Sequence, residues 1–169
     1  MNRAQRRSAS QLRSTPLPKF WRPKLPESVR TTAQIVHWDL ITSFTNGTAG
    51  VEELWDWIET GFTYSQIATL LAQDGTEFMP EAMNALAEQL DIYSAVIDRF
   101  RKTGRIGFDA EQLRIARAAA HVMDALIDMD RHGIAERAAL WSVEQMARMR
   151  KQAAVANQPL SHQPSERNS

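Results

Sequence analysis

The sequence predicts an all-α protein, a single-domain helical bundle of four to six helices with an extended basic N-terminal arm and a disordered C-terminal tail. Three observations predict it. Apolar residues recur at helical spacing through most of the chain, no segment alternates like a strand, and glycine, proline and capping residues fall where helices must start and stop. The 169 residues suit one domain with a sizeable core. A chain 43% hydrophobic and 24% charged, with mean hydropathy −0.41, has the composition of a soluble globular protein.

The first helix is expected from about Val29 to Thr45, with Val36, Leu40 and Phe44 on one stripe and Asn46-Gly47 as its stop. A second begins near Gly50 and carries Val51, Leu54, Trp55 and Ile58. Gly61 interrupts it, and Thr63 to Gln66 has capping-box spacing, so one kinked helix or two short ones are both compatible with the segment before Asp74-Gly75. Pro80 is placed as the first residue of a third helix, in which Met83, Leu86, Leu90, Tyr93, Ile97 and Phe100 share an arc before Gly104 closes it. Asp109 with Gln112 starts a fourth helix, which Arg131, His132 and Gly133 end. The fifth runs from about Ile134 to Ala154 with Leu140, Val143 and Ala147 as its apolar stripe. The implied organisation is a basic, proline-rich arm over 1–28, a bundle over 29–156 and a tail over 157–169.

Zero cysteines exclude a disulfide framework, a thiolate metal site and a cysteine nucleophile, and they fit a reducing, cytoplasmic setting. Residues 1–15 lack the apolar core of a secretory signal, and no apolar run approaches the ~20 residues that span a bilayer, so no membrane partner is expected.

The balanced net charge conceals a segregation into three blocks. Residues 1–30 carry +7, residues 31–98 carry −11 with no lysine or arginine, and residues 99–169 carry +4. A polyanion is drawn to the arm (Arg3, Arg6, Arg7, Arg13) and to the cluster Arg99, Arg101, Lys102, Arg105, and repelled by the middle. Within the arm, Phe20 and Trp21 lie among Lys19, Arg22 and Lys24, where they can stack on bases, meet a partner surface, or pin the arm to the body. Equally open is an arm that folds back on the acidic middle.

Four further features bear on chemistry. His121, Asp124, Asp128 and His132 share an arc of about 80° on the fourth helix. Imidazole and carboxylate suit zinc or iron, yet Arg114 and Arg117 lie on the same arc with Ala120, Met123, Leu126 and Ile127 opposite, so the face reads as solvent and neither metal nor cofactor is expected. Thr63 to Leu90 has the grammar of a helix-turn-helix, opposed by Glu81, Glu88 and Asp91 where a recognition helix needs cations; only Asn84 and Gln89 suit a base edge. The loop from Arg99 to Phe108 pairs cations with Gly104 and Gly107 ahead of a helix start, which suits a phosphate or an anionic surface. Among the aromatics His37, Trp38, Trp55 and Trp57, Trp55 is expected in the core and Trp57, off its stripe beside Glu53 and Asp56, at an interface. With no nucleophile elbow, phosphate loop or dinucleotide glycine pattern, no catalytic residue is assigned and an enzyme is not expected.

The opening Met-Asn-Arg-Ala-Gln-Arg-Arg resembles the start of many small phage and mobile-element proteins. Arg101-Lys-Thr-Gly-Arg-Ile-Gly-Phe-Asp109, followed by a Glu-x-Leu-Arg-x-Ala-Arg-x-Ala helix, resembles a group of small helical accessory proteins of unknown function carried by proteobacterial phages and mobile elements, some of them labelled transcriptional regulators. That resemblance implies a bacterial cytoplasmic accessory protein and transfers no catalytic residue. The expected function is therefore binding of a macromolecule, nucleic acid favoured, through the arm and the Arg99–Arg105 loop. The alternative is a protein–protein interaction module, homo-oligomer or inhibitor of a host system acting through the acidic 31–98 surface.

Overall fold

The computed structural model describes residues 25–131 and 133–156, with side chains as far as residue 152. Five helices follow in order: α1 (Glu27–Asn46), α2 (Val51–Gln73), α3 (Pro80–Thr103), α4 (Ala110–Asp128) and α5 (Ile134–Ala156). Among the described residues there is no strand, and no helix is long and apolar enough to cross a membrane. The all-α bundle predicted from the sequence is the fold.

Local chemistry sets the helix ends. Glu27 places a carboxylate in the first turn of α1, where the helix dipole favours it, so helix begins two residues inside the expected arm. Pro80 opens α3, and Gly104 ends it at φ 68°, with its N–H donating to the Phe100 carbonyl at 2.7 Å. Asp109 and Gln112 form the expected capping box at α4: the Gln112 N–H donates to Asp109 Oδ1 at 2.9 Å and the Asp109 N–H to Gln112 Oε1 at 3.1 Å. The fourth helix ends at Asp128, with Met129 as its cap, and does not extend to Arg131. Buried Asp130 takes over there, accepting the Ala135 N–H at 2.9 Å and so capping α5.

The central element is α2, which packs on each of the other four helices. It is one helix without a break at residues 61–63. Gly61 is there for packing: a Cβ at this position would collide with the Tyr93 hydroxyl, which donates to the Trp57 carbonyl at 3.3 Å and accepts from Gln89 Nε2 at 3.1 Å. The local capping-box spacing at Thr63 loses because α2 buries an apolar stripe on both sides of it, Leu54, Trp57 and Ile58 before and Ile67, Ala68 and Leu71 after.

Several stripe assignments shift by one position. Trp57 is buried (2% exposed) and Trp55 is half-buried, the reverse of the expectation. Leu54, Trp57, Ile58 and Gly61 fall on consecutive turns of one face, and Trp57 meets the rings of Phe44, Tyr93 and Phe108 at 5.2, 4.5 and 5.0 Å. Trp55 sits at the rim with the Arg150 guanidinium 5.4 Å above its ring. In α3 the most buried positions are Leu86, Gln89, Tyr93 and Val96, while Met83 is exposed. Val36 of α1 is exposed as well, the buried face being His37, Leu40, Ile41 and Phe44.

Helix α5 departs furthest from expectation. Leu140 and Val143 are 64% and 55% exposed and Ala147 is exposed; the buried stripe is Ile134, Ala135, Ala138, Ser142 and Met146. Small residues make that stripe weak in hydropathy but let α5 approach α2 closely, where Thr63 Oγ1 and Ser142 Oγ are hydrogen-bonded at 2.6 Å.

The Gly61–Tyr93 contact is open to test by chemical denaturation. Gly61→Ala should cost about 3 kcal/mol through overpacking. In a Tyr93→Phe background, where the colliding oxygen is gone, the same substitution should cost clearly less; equal costs would contradict the contact.

Candidate functional site

Two features stand out on the folded chain: a polar clamp between α1 and α4, and an open apolar groove beside it. The clamp is built on Asp124, one turn before the end of α4. Its Oδ1 lies 3.0 Å from His37 Nε2, and its Oδ2 accepts from Trp38 Nε1 at 3.0 Å. One carboxylate thus takes two donors from successive residues of α1, which fixes both the position and the rotation of that helix. One turn further along α4 and two turns back along α1, Arg30 Nη1 donates to Asp128 Oδ1 at 3.1 Å. His121 packs edge-on against Trp38, ring centroids 5.0 Å apart. On the polar arc of α4, Arg114, Arg117, His121 and Asp128 are exposed, as expected of a solvent face, while Asp124 is half-buried against α1. Among the described residues no group of three or more metal-ligating side chains converges, and His132 lies outside the described residues.

His37 is 2% exposed. Burial lowers its pKa below the ordinary value, with the Asp124 carboxylate pulling in the opposite direction and losing. The neutral ring presents Nε2–H to Asp124, and the Ala33 backbone acts on the ring in the same direction as that carboxylate. Tyr64 meets the His37 ring edge-on at 5.6 Å, and its buried hydroxyl has no partner among the described residues. Burial first, and the Asp124 charge second, push that phenol well above its usual range, so it stays protonated and an unused donor at neutral pH.

Tyr64 leads into the groove. Helices α1 and α5 both flank α2 without packing as a pair with each other, and the gap between them is a cleft of about 570 Å³. Its floor is Tyr64, Ile67 and Ile127; Val29, Ala33 and Val36 form the α1 wall, and Ala135 and Ala139 the α5 wall. Val29 and Val36 are exposed along it. Its size is within the range of sites that hold small ligands or side-chain anchors. Three carboxylates (Asp56, Glu59 and Glu136) line it, and among the described residues no cation does.

The α3–α4 loop has a different character. Arg99 is committed internally: Nη1 donates to the Gly107 carbonyl and to Gln112 Oε1, each at 2.7 Å, and Nη2 to Asp109 Oδ2 at 2.7 Å. The backbone N–H of Gln112 first, and the Arg99 guanidinium after it, hold the Asp109 carboxyl below its usual range. Arg101, Lys102 and Arg105 are exposed, Arg101 within 3.5 Å of Asp98. The cleft beside the loop, about 630 Å³, contains Arg99 and Arg105 but also Asp109. Arg3, Arg6, Arg7, Arg13, Phe20 and Trp21 lie outside the described residues. In the helix-turn-helix-like segment Asn84 is exposed, but Gln89 is buried against Tyr93 and unable to reach a base edge.

Sequence reasoning missed both the groove and the clamp. Val29, Ala33 and Val36 follow 4/3 spacing beside the stripe of His37, Leu40, Ile41 and Phe44, so α1 has a wider apolar face than one neighbour can cover. His37 falls in that stripe, and a histidine among buried apolar positions needs an acceptor from another element. No family model, curated protein or solved structure matches the chain.

The clamp makes two predictions. Asp124→Ala leaves the His37 and Trp38 donors unpaired and should cost about 2 kcal/mol in a denaturation experiment. Because the folded state lowers the His37 pKa, the unfolded chain binds the proton more readily. The stability contributed by neutral His37 is complete above the unfolded value near 6.5 and is lost as pH falls from there through the lower folded value. Denaturation midpoints of the wild type at pH 7.5 and 5 should therefore differ by more than those of His37→Gln, and an equal difference would contradict the assignment.

Proposed function

We propose that the protein is a non-enzymatic binding module whose groove between α1, α2 and α5 receives an extended, apolar protein segment flanked by basic residues. The observation that carries this reading is the groove itself: apolar floor and walls, carboxylates of Asp56, Glu59 and Glu136 along it, and no cation among the described residues that line it. Apolar anchors supply affinity in such a site, and the carboxylates select for lysine or arginine beside them. The charge of the 31–98 block, −11, extends that preference over the surrounding surface and speeds the approach of a basic partner. Supporting it further, the clamp residues His37, Trp38 and Asp124 are occupied with one another and with holding α1 in place.

A second reading rests on the exposed Arg101, Lys102 and Arg105 at the end of α3. With the basic arm they favour contact with the phosphates of a nucleic acid, which would weaken steeply with salt.

Titration with a short synthetic peptide of alternating lysine and leucine or tryptophan tests the first reading. Ala139→Trp, which fills the groove from the α5 wall, should weaken binding about tenfold, and Asp56→Lys with Glu59→Lys should do the same. The charge-reversed peptide should not bind. A peptide affinity indifferent to all three substitutions would sink the groove as the site. Duplex DNA that binds with a steep salt slope lost in Lys102→Glu with Arg105→Glu would favour the second reading.

A further inference from the structure

The groove has a candidate occupant in the same chain. We infer that the segment Lys19-Phe-Trp-Arg-Pro-Lys24 docks into the α1/α2/α5 groove with Phe20 and Trp21 as anchors, so that the arm occupies the site an external segment would take. The inference rests on the reading of this groove as a binding site, and four observations carry it.

Position comes first. Leu25, the first described residue, is half-buried, lines the groove and packs against the cluster around Tyr64, Ile67 and Ile127. The chain therefore enters the described structure through the groove. Trp21 is four residues earlier, a reach of about 13 Å for an extended chain, which brings it within the groove's neighbourhood without any loop.

Chemistry is the second. Phe20 and Trp21 are adjacent large aromatics with Lys19, Arg22 and Lys24 around them, and the groove is apolar with Asp56, Glu59 and Glu136 along it. Apolar anchors meet an apolar floor, and three cations meet three carboxylates. The third observation is conformational: Pro16, Pro18, Pro23 and Pro26 fix φ and remove backbone donors, so this segment favours an extended form that loses little entropy on docking. Fourth, Tyr64 forms part of the groove floor, and its buried hydroxyl has no partner among the described residues.

An external apolar segment flanked by basic residues then has to displace a tethered competitor, whose effective concentration is high because its link is short.

The test uses the full-length chain with fluorine-labelled tryptophan, the Trp21 resonance being identified by its loss in Trp21→Phe. A soluble paramagnetic agent reports the exposure of each indole. Trp21 should be shielded at all protein concentrations, and Ala139→Trp or Asp56→Lys with Glu59→Lys should make it several-fold more accessible. Trp21 as accessible as a free indole, or shielded but indifferent to both groove variants, would overturn the inference. Shielding that vanishes on dilution would place the arm in a second copy's groove and equally overturn docking within one chain.

Titrating the lysine–leucine peptide in parallel separates this inference from the reading beneath it. Phe20→Ala with Trp21→Ala should raise the peptide's affinity about tenfold, since the competitor is gone. An affinity unchanged by that pair, but still lost in Ala139→Trp, keeps the groove as a binding site and removes the arm as its occupant. A peptide that binds neither form removes the reading of the groove as a site for external segments, and the arm is then judged by the Trp21 resonance alone.

Discussion

One carboxylate determines how α1 lies on the bundle. Asp124 accepts from His37 and from Trp38, two successive side chains about 100° apart on α1, and a helix gripped at two azimuths has no rotational freedom left. That grip turns His37, Leu40, Ile41 and Phe44 inward and leaves Val29, Ala33 and Val36 pointing past α2 toward α5. The groove follows from this constraint, since α1 is tied to α4 on one side and α5 packs on α2 on the other, while among the described residues α1 and α5 do not pack as a pair. The interaction is expensive to lose as well as directional, because both donors are then left without their acceptor.

Around this constraint the molecule divides its charge by task. The cation nearest the α4 start, Arg99, is spent on the Gly107 carbonyl and on the Asp109 and Gln112 side chains, and so organises the α3–α4 turn. Asp56 and Glu59 of α2, by contrast, line the groove, with no cation beside them among the described lining residues. An apolar cleft that carries only one sign of charge discriminates between partners, since an acidic segment of the same shape is repelled where a basic one is held.

How much of this was legible in the sequence depends on how local each cause is. Pro80 at the start of α3, Gly104 at its end and the Asp109–Gln112 box act within a few residues, and the sequence shows them directly. Burial depended on neighbours. Trp57 is assigned to solvent by its acidic neighbours, yet it sits in the core because Phe44, Tyr93 and Phe108 surround it and Gly61 lets Tyr93 approach α2. Likewise Leu140 and Val143 outrank Ala138 and Ser142 on any hydropathy scale, but close helix packing selects the small residues for the interface. Asp124 was visible only as one of several polar residues on α4, since its partners are more than eighty positions away. The groove, which depends on the placement of three helices, has no local signature beyond the surplus apolar width of α1.

The central claim is that the cleft between α1, α2 and α5 is where this protein meets a partner segment. Amide chemical-shift mapping of the full-length protein with the lysine–leucine peptide addresses it residue by residue. The account predicts that the largest changes cluster at Ala33, Val36, Thr60, Thr63 and Ala139, the residues that line the cleft. Changes scattered over the surface, or concentrated between Arg101 and Gly107, would contradict it.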